Sequence, residues 1–479
     1  MIDRRDFSFE GILFFVFLFC ILLLPACKPI SDIVASVMFT TVGSPVAVPD
    51  GAGGVYVAYQ KKVRGSGRVS YMQRLDSAGD PIWPDAGPRI YMERGYEHGS
   101  LPVGELVALE NGAILLWSFG EEVWAQGVDL MGNLLWEEGG IQVITSFLPS
   151  GEGLPQLHRA LDDGRGGVIV AANRSGLADV ALRRLSTSGV LSNIEGVSLP
   201  PSLPNGLELA HDEAGNIFIL WSQDIFWGIQ KLGPDGQPQW GIDGIIPFAE
   251  MPGLLCESLV NDGEGGVIVL CVSRHEAVET SAGGGTALIA QHYDAQGKPL
   301  WPEEGLRLGI LAESGDTFAL ITDGEAGAVA AWQSAPDVIA AQRITGEGQL
   351  LWGTEGVEVL SEKRPFSLAA GSKPGEALLV WTEPERRKND ERIIRLWAQK
   401  LSADGSPVWD ATGTAFTTLE YASTSLPQIL ANEEGGAWVT WAAGRSSGGH
   451  FQDTTYIQQV AADGQPLLGE DGLNLTDLR

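Results

Sequence analysis

The residues able to do chemistry are few and scattered. Six histidines (His98, His158, His211, His275, His292 and His450) stand in no metal-ligand spacing to one another. Gly444-Arg445-Ser446-Ser447-Gly448 has the G-x-S-x-G form of a nucleophile elbow. It lies in a Gly/Ser stretch between β-rich runs, without the strand–turn–helix setting that strains such a serine. Acidic turns such as Asp262-Gly263-Glu264 lack the alternating oxygen ligands of a calcium loop, and turn chemistry accounts for their Asp and Gly. No catalytic residue, metal ligand or cofactor is therefore assigned. Two features point to binding or bonding instead. Arg386, Arg387, Lys388, Arg392 and Arg395 crowd one loop of a chain that has 31 basic and 61 acidic residues. Such a loop suits an anionic headgroup or an acidic partner, or is a solvated hairpin tip of mixed charge. Cys256 and Cys271 flank the turn at 261–266 symmetrically, so a regular hairpin sets them opposite each other, as a disulfide or as two buried thiols. A net charge of −30 repels phosphate backbones and excludes nucleic acid as a partner.

The elements that must position any site come from one repeat. Acidic, Gly-rich turns recur at Asp50, Asp163, Asp262 and Asp323, with weaker versions near Glu110, Asp212, Lys373 and Glu434. An aromatic column follows them at Tyr59, Trp117, Trp221, Trp332, Trp381 and Trp441, with Ala172 and Cys271 in the other two repeats. A Gln column follows at Gln73, Gln126, Gln230, Gln291, Gln342, Gln399 and Gln458, with Arg183 the exception. Six residues after each Gln stands a Gly, and four after that a Trp: Trp83, Trp136, Trp240, Trp301, Trp352 and Trp409. Asn193 and Leu468 stand in the remaining Trp places. The runs between are short, apolar and β-rich, such as Ile217-Phe218-Ile219-Leu220-Trp221, and no sustained helical period occurs. Four short strands per repeat, apolar on both faces, predict an all-β fold: a β-propeller of about eight four-stranded blades. The Trp and Gln columns are read as structural, the Trp docking on the next blade and the buried amide bonding to nearby backbone. Blades are expected at about 44–98, 99–151, 152–203, 204–250, 251–312, 313–363, 364–422 and 423–479. The loops between second and third strands and those between blades vary most, so the working face is expected there.

Ahead of the repeats, Gly11 to Leu24 is an apolar run behind Arg4 and Arg5, followed by Pro25-Ala26-Cys27. This resembles a bacterial lipoprotein signal peptide, with Leu24-Pro25-Ala26-Cys27 as the lipobox. The resemblance implies a signal at 1–26, lipid on Cys27, a tether at 27–43, and an outer-membrane address from Lys28. An uncleaved anchor and a plain secretory signal are the other readings.

The unit Ala398-Gln399-Lys400-Leu401 through Gly405-Ser406-Pro407-Val408-Trp409 resembles a repeat of secreted bacterial β-propellers, with an acidic Gly turn, an A-Q-R-L strand and a G-x-x-x-W turn. In pattern it is also similar to the tryptophan-docking repeat of pyrroloquinoline-quinone dehydrogenases. The expected function is a non-enzymatic binding or scaffolding lipoprotein of the cell envelope, held at the membrane by its lipid, with a protein or polysaccharide partner. The alternatives are an enzyme on a glycan or other small substrate at the axial mouth, or a structural surface component. The enzyme would require carboxylates or His converging near the axis from several blades.

Overall fold

Each repeat begins with a side-chain-built turn. Asp50 Oδ1 accepts the amide N–H groups of Ala52 and Gly54 at 2.9 and 2.8 Å. Asp163, Asp262 and Asp323 do the same for the second and fourth residues after them. This local bonding reverses the chain and launches an antiparallel hairpin. In a computed structural model of the protein, residues 44–478 are described, apart from 64–66, 93–103, 120–121, 146–157, 175–178, 195–205, 224–225, 242, 249–253, 281–282, 312–316, 336–337, 361–365, 387–391, 416, 418–422 and 448–449. The signal, lipobox and tether expected from the sequence lie outside these residues.

Eight antiparallel sheets follow one another along the chain, and together they make an eight-bladed β-propeller. The innermost strands are Val46–Pro49, Glu105–Leu109, His158–Asp162, Gly206–His211, Leu254–Asn261, Phe318–Thr322, Phe366–Ala370 and Gln428–Ala431. Blade 4 departs from the four-stranded plan, because its outer strand shrinks to a single bridge, Ile229 with Ile245. The cause is local. Pro247 has no N–H to give a ladder, and Phe248 turns left-handed at φ 53° and is buried. In blade 5, Cys256 and Cys271 are register partners joined as a disulfide, with a bulge between Cys256 and Ser258. The cystine fills the place that an aromatic holds in six other blades.

Contacts between blades come from the Trp and Gly columns. Trp83 Nε1 donates to Leu130 O of the next blade at 3.0 Å. Trp136, Trp240, Trp301, Trp352 and Trp409 donate in the same way to Thr187, Ala295, Gly346, Ala403 and Ala462. Each ring lies over a glycine of the accepting turn, and that glycine has φ near +85° (Gly405, +82°). The blades that lack the Trp pack an aliphatic side chain there instead: Leu468 lies over Gly79, and Ile194, rather than its neighbour Asn193, lies over Gly236, while Gln459 Nε2 and Arg184 Nη2 donate to the turn carbonyls of Ser77 and Pro234. The Gln side chain stays within its own blade. Gln399 Oε1 accepts from Lys400 N and Trp409 N, and its Nε2 donates to Asp410 O, so the amide fixes the turn that carries the Trp.

The residue after the Gln reaches back to the acidic turn. Arg74 meets Asp50 at 2.8 Å, His292 meets Asp262 at 2.9 Å, Arg343 meets Asp323 at 2.9 Å and Lys400 meets Glu376 at 2.8 Å. The acids are thereby occupied by side-chain donors of the protein and by backbone amides. Ring closure between blades 8 and 1 is made by other side-chain contacts. Gln459 Nε2 donates to Ser77 O, Ala47 N donates to Gln428 Oε1, and Lys61 Nζ donates to Leu478 O. Tyr59, Leu75, Trp438 and Leu475 share one buried cluster across that seam.

Gly405→Ala tests the docking geometry. A Cβ at Gly405 would meet the Trp352 ring at 2.8 Å, whereas one at Gly353, with a similar φ of +83°, meets nothing within 4 Å. Both variants carry the left-handed penalty of about 1–2 kcal/mol. Gly405→Ala is expected to lose a further ~1–3 kcal/mol through overpacking. Denaturant midpoints compared between the two variants measure the difference.

Candidate active site at the axial mouth

Strand register defines a ring of side chains around the axis. The residue before the aromatic column pairs across the acidic turn with Val46, Glu105, Arg159, Glu208, Ser258, Ala319, Ser367 and Gln428 in blades 1 to 8. These lie near the starts of the innermost strands, where the variable connections between blades enter. Side chains here meet their neighbours across blade boundaries: Gln428 accepts from Ala47 N, and Ser367 Oγ donates to Pro427 O.

Blades 2, 3 and 4 put charge on this collar. Arg159 Nη2 lies 2.9 Å from Glu208 Oε1, and Arg159 Nη1 lies 3.3 Å from Glu105 Oε1. Arg159 Nε also donates to Glu208 Oε1, at 3.2 Å. Glu208 is therefore the firmer partner, and Glu105 the looser one. Glu105 Oε2 accepts the amide of Ala160 in the next blade. The three side chains keep 27%, 35% and 33% of their surface open in the order Glu105, Arg159, Glu208, so the group is reachable from solvent.

The electrostatics of the two carboxyls differ. Burial inside the ring pushes Glu105 up from 4.5 to about 7; Arg159 and the Ala160 amide pull it down, and Glu208 pushes it further up. Arg159 is held above its ordinary value although burial opposes its charge, because hydrogen bonds and attraction from Glu208 and Glu105 outweigh that cost. A carboxyl that titrates near neutrality beside a fixed guanidinium can give and take a proton at physiological pH. Among the described residues, no group of three or more His, Cys, Asp or Glu is placed to hold a metal.

The residues singled out from the sequence lie elsewhere. Arg386 and Arg392 are register partners near the end of the hairpin between the second and third strands of blade 7, Arg395 lies opposite Glu383, and Arg387 and Lys388 fall outside the described residues. Cys27 falls outside them too. Arg445, Ser446 and Ser447 belong to the strand Ala437–Ser447, which is no nucleophile elbow. Sequence reasoning missed Glu105, Arg159 and Glu208. The signal was a charged residue four positions before the turn acid, as in Arg159 before Asp163 and Glu208 before Asp212, in an otherwise apolar strand.

No protein-family model and no curated protein matches the chain. Among solved structures it is similar to puromycin hydrolase, at 14% identity and a TM-score of 0.42, over 86% of this chain and 60% of that one. It is also similar to prolyl oligopeptidase B from Galerina marginata bound to a hydrolysis and macrocyclization substrate, at 11% identity and 0.41, over 91% and 52%. A protein from Lactobacillus plantarum matches at 12% identity and 0.38, over 74% and 94%. The chain thus spans about 60% of the length of puromycin hydrolase. At these identities the likeness is one of architecture. The expectation of a non-enzymatic scaffold is corrected on the collar itself: carboxyls from two blades converge there on Arg159, the condition set for the enzyme reading.

Glu105 is expected to titrate near pH 7, followed by NMR of carboxyl-labelled glutamate. Its folded value lies above its ordinary one, so its contribution to stability is full below about pH 4.5 and lost as pH rises through about 7. Glu208→Gln removes a like charge and leaves Arg159 more attraction to spare, so the Glu105 titration should move to lower pH.

Proposed function

We propose that the protein is an enzyme acting on a glycan or other small substrate at the axial mouth. The observation that supports this most is the near-neutral Glu105 carboxyl beside an arginine anchored by a second carboxylate. In this reading protonated Glu105 gives its proton to the departing oxygen or nitrogen while water adds to the substrate atom that loses it, and the proton that this water sheds returns to the Glu105 carboxylate. Arg159 balances negative charge as it develops on the substrate. Glu208 holds the guanidinium in place while the Glu105 contact loosens.

Chromogenic nitrophenyl glycosides and peptide nitroanilides are the probes. Turnover is expected on at least one class, with an inflection near pH 7. Glu105→Gln should lower kcat/KM by about 10²–10⁴-fold. Failure of every probe, or equal turnover by Glu105→Gln, overturns the reading.

We further propose export with lipid attachment at Cys27, which places the site in the cell envelope, probes of membrane and surface polymers included. The G-x-x-x-W turn and its docking geometry support kinship with the tryptophan-docking propellers. Metabolic labelling with a fatty acid should mark the wild type and not Cys27→Ser. Label retained in that variant would remove Cys27 as the attachment point.

A further inference from the structure

The turns that join the blades also have an outer surface. Among the described residues ten large apolar side chains are exposed, and eight of them stand in the corners between third and fourth strands. Their place follows from the docking contact. The backbone N–H of the residue before the Trp bonds back to the third strand, as Ile82 N does to Arg74 O and Leu351 N to Arg343 O. The Trp that follows is turned in against the next blade, so the residue before it is turned out. Polar residues suffice there, and Ser192 and Gln239 hold the place in blades 3 and 4. Five blades instead hold Ile82, Leu300, Leu351, Val408 and Leu467, each 42–52% exposed. Blades 2 and 3 present Met131 and Val190 from the turn itself.

One exposed leucine means nothing, but recurrence at one level of the ring marks a contact surface. Each corner touches the next through the Trp that docks on it, so the exposed side chains form a continuous belt. The same corners are acidic. Each has two or three Asp or Glu except that of blade 3, and Lys298 is their only Lys or Arg. Hydrogen bonds from Ser402 and Thr412 hold Asp404 and Asp410 below the ordinary carboxylate value, so these two stay charged. Arg89, at the edge of the belt, is taken by Glu138 of the next blade at 2.7 Å. Anionic headgroups are repelled by such a surface, and a second copy brings the same sign. A cation among apolar groups complements it.

We propose that this belt docks a basic, amphipathic polypeptide segment of another protein, one that presents lysine or arginine among large apolar side chains. Its best seat is on blades 6 to 8. There Leu351, Val408 and Leu467 stand on three consecutive corners, with Glu347, Glu355 and Glu470 beside them and no Lys or Arg in any of the three. The belt lies on the outer strands, away from the collar, so it stands whether or not the collar is catalytic.

The test is fluorescence anisotropy of a labelled peptide, built from leucine and lysine at helical spacing, titrated with the full chain. Two control peptides exchange its lysines for glutamate or its leucines for serine. The leucine–lysine peptide should bind about tenfold or more tighter than either control, and weaken as salt rises. Leu351→Ser, Val408→Ser and Leu467→Ser combined should lower its affinity about tenfold or more. Glu347→Gln, Glu355→Gln and Glu470→Gln combined should weaken it at low salt. These side chains are exposed, so both variants should keep the melting curve of the wild type. Leu426→Ser, exposed outside the corners, should bind as the wild type does. Undiminished affinity in the apolar variant, or equal binding of the serine–lysine peptide, overturns the belt as a docking surface. Phosphatidylcholine vesicles that hold the wild type and release the apolar variant would make the belt a membrane face. A dimer in sedimentation that this variant loses would make it a contact between copies. Either result overturns the proposal.

Discussion

The indole N–H of one blade, bonded to a turn carbonyl of the next, is the contact on which the ring depends. It is made by six blades at 2.8–3.0 Å. It requires three things at once. The turn must present its carbonyl outward, a residue beneath the ring must have no Cβ, and the strand behind must hold the Trp at the right height. The left-handed glycine meets the first two. The Gln amide meets the third, by bonding both the Trp N–H and the backbone just beyond it. One hydrogen bond contributes only ~1 kcal/mol, so the apolar burial of the ring carries the larger share. That explains why Ile194 and Leu468 can stand in for Trp: packing survives in those blades, and the turn carbonyl accepts from Arg184 Nη2 or Gln459 Nε2 instead.

Because the ring is held from its turns, the axis is free to vary. Ring closure illustrates this. Blades 8 and 1 meet through side chains and a shared buried cluster, and each blade completes its sheet with its own segments. The innermost strands contribute apolar packing, but no turn geometry rests on their collar residues. Charges are costly in such a place, since leaving a buried partner uncompensated destabilises by about 3–5 kcal/mol. Glu105, Arg159 and Glu208 are tolerated as a group because each partner is present and the collar remains partly open.

How much could be read from the sequence follows from the same division. The turns, the Gln, Gly and Trp columns and the four short strands recur because each repeat must dock on the next, so repetition exposed the propeller. Repetition was silent about the collar, whose value lies in being different in each blade. Glu105 and Arg159 occupy one structural position, yet one is an acid and the other a base. Their meeting depends on register across the turn and on the angle between blades, and neither is written as a motif. The loop at Arg386 to Arg395 drew the eye by composition, but Arg386 and Arg392 pair beyond the stretch that the innermost strand reaches, which ends at Trp381. Likewise the outer edge of blade 4 was lost to a single Pro247-Phe248 step, which a column alignment does not weigh.

The distribution of charge around the collar bears on what occupies it. Three consecutive blades carry Glu105, Arg159 and Glu208, while blades 6, 7, 8 and 1 offer Ala319, Ser367, Gln428 and Val46. A purely structural ring would gain from spreading its ion pairs, since neighbouring like charges such as Glu105 and Glu208 raise the cost of each other's ionisation. Gathering them on one side concentrates the field across the mouth and leaves the opposite wall small and neutral. In the proposed function, a one-sided collar on an eightfold scaffold orients its substrate against blades 2 to 4. Orientation is then set at the collar, beside the Glu105 carboxyl that burial pushes up to about 7.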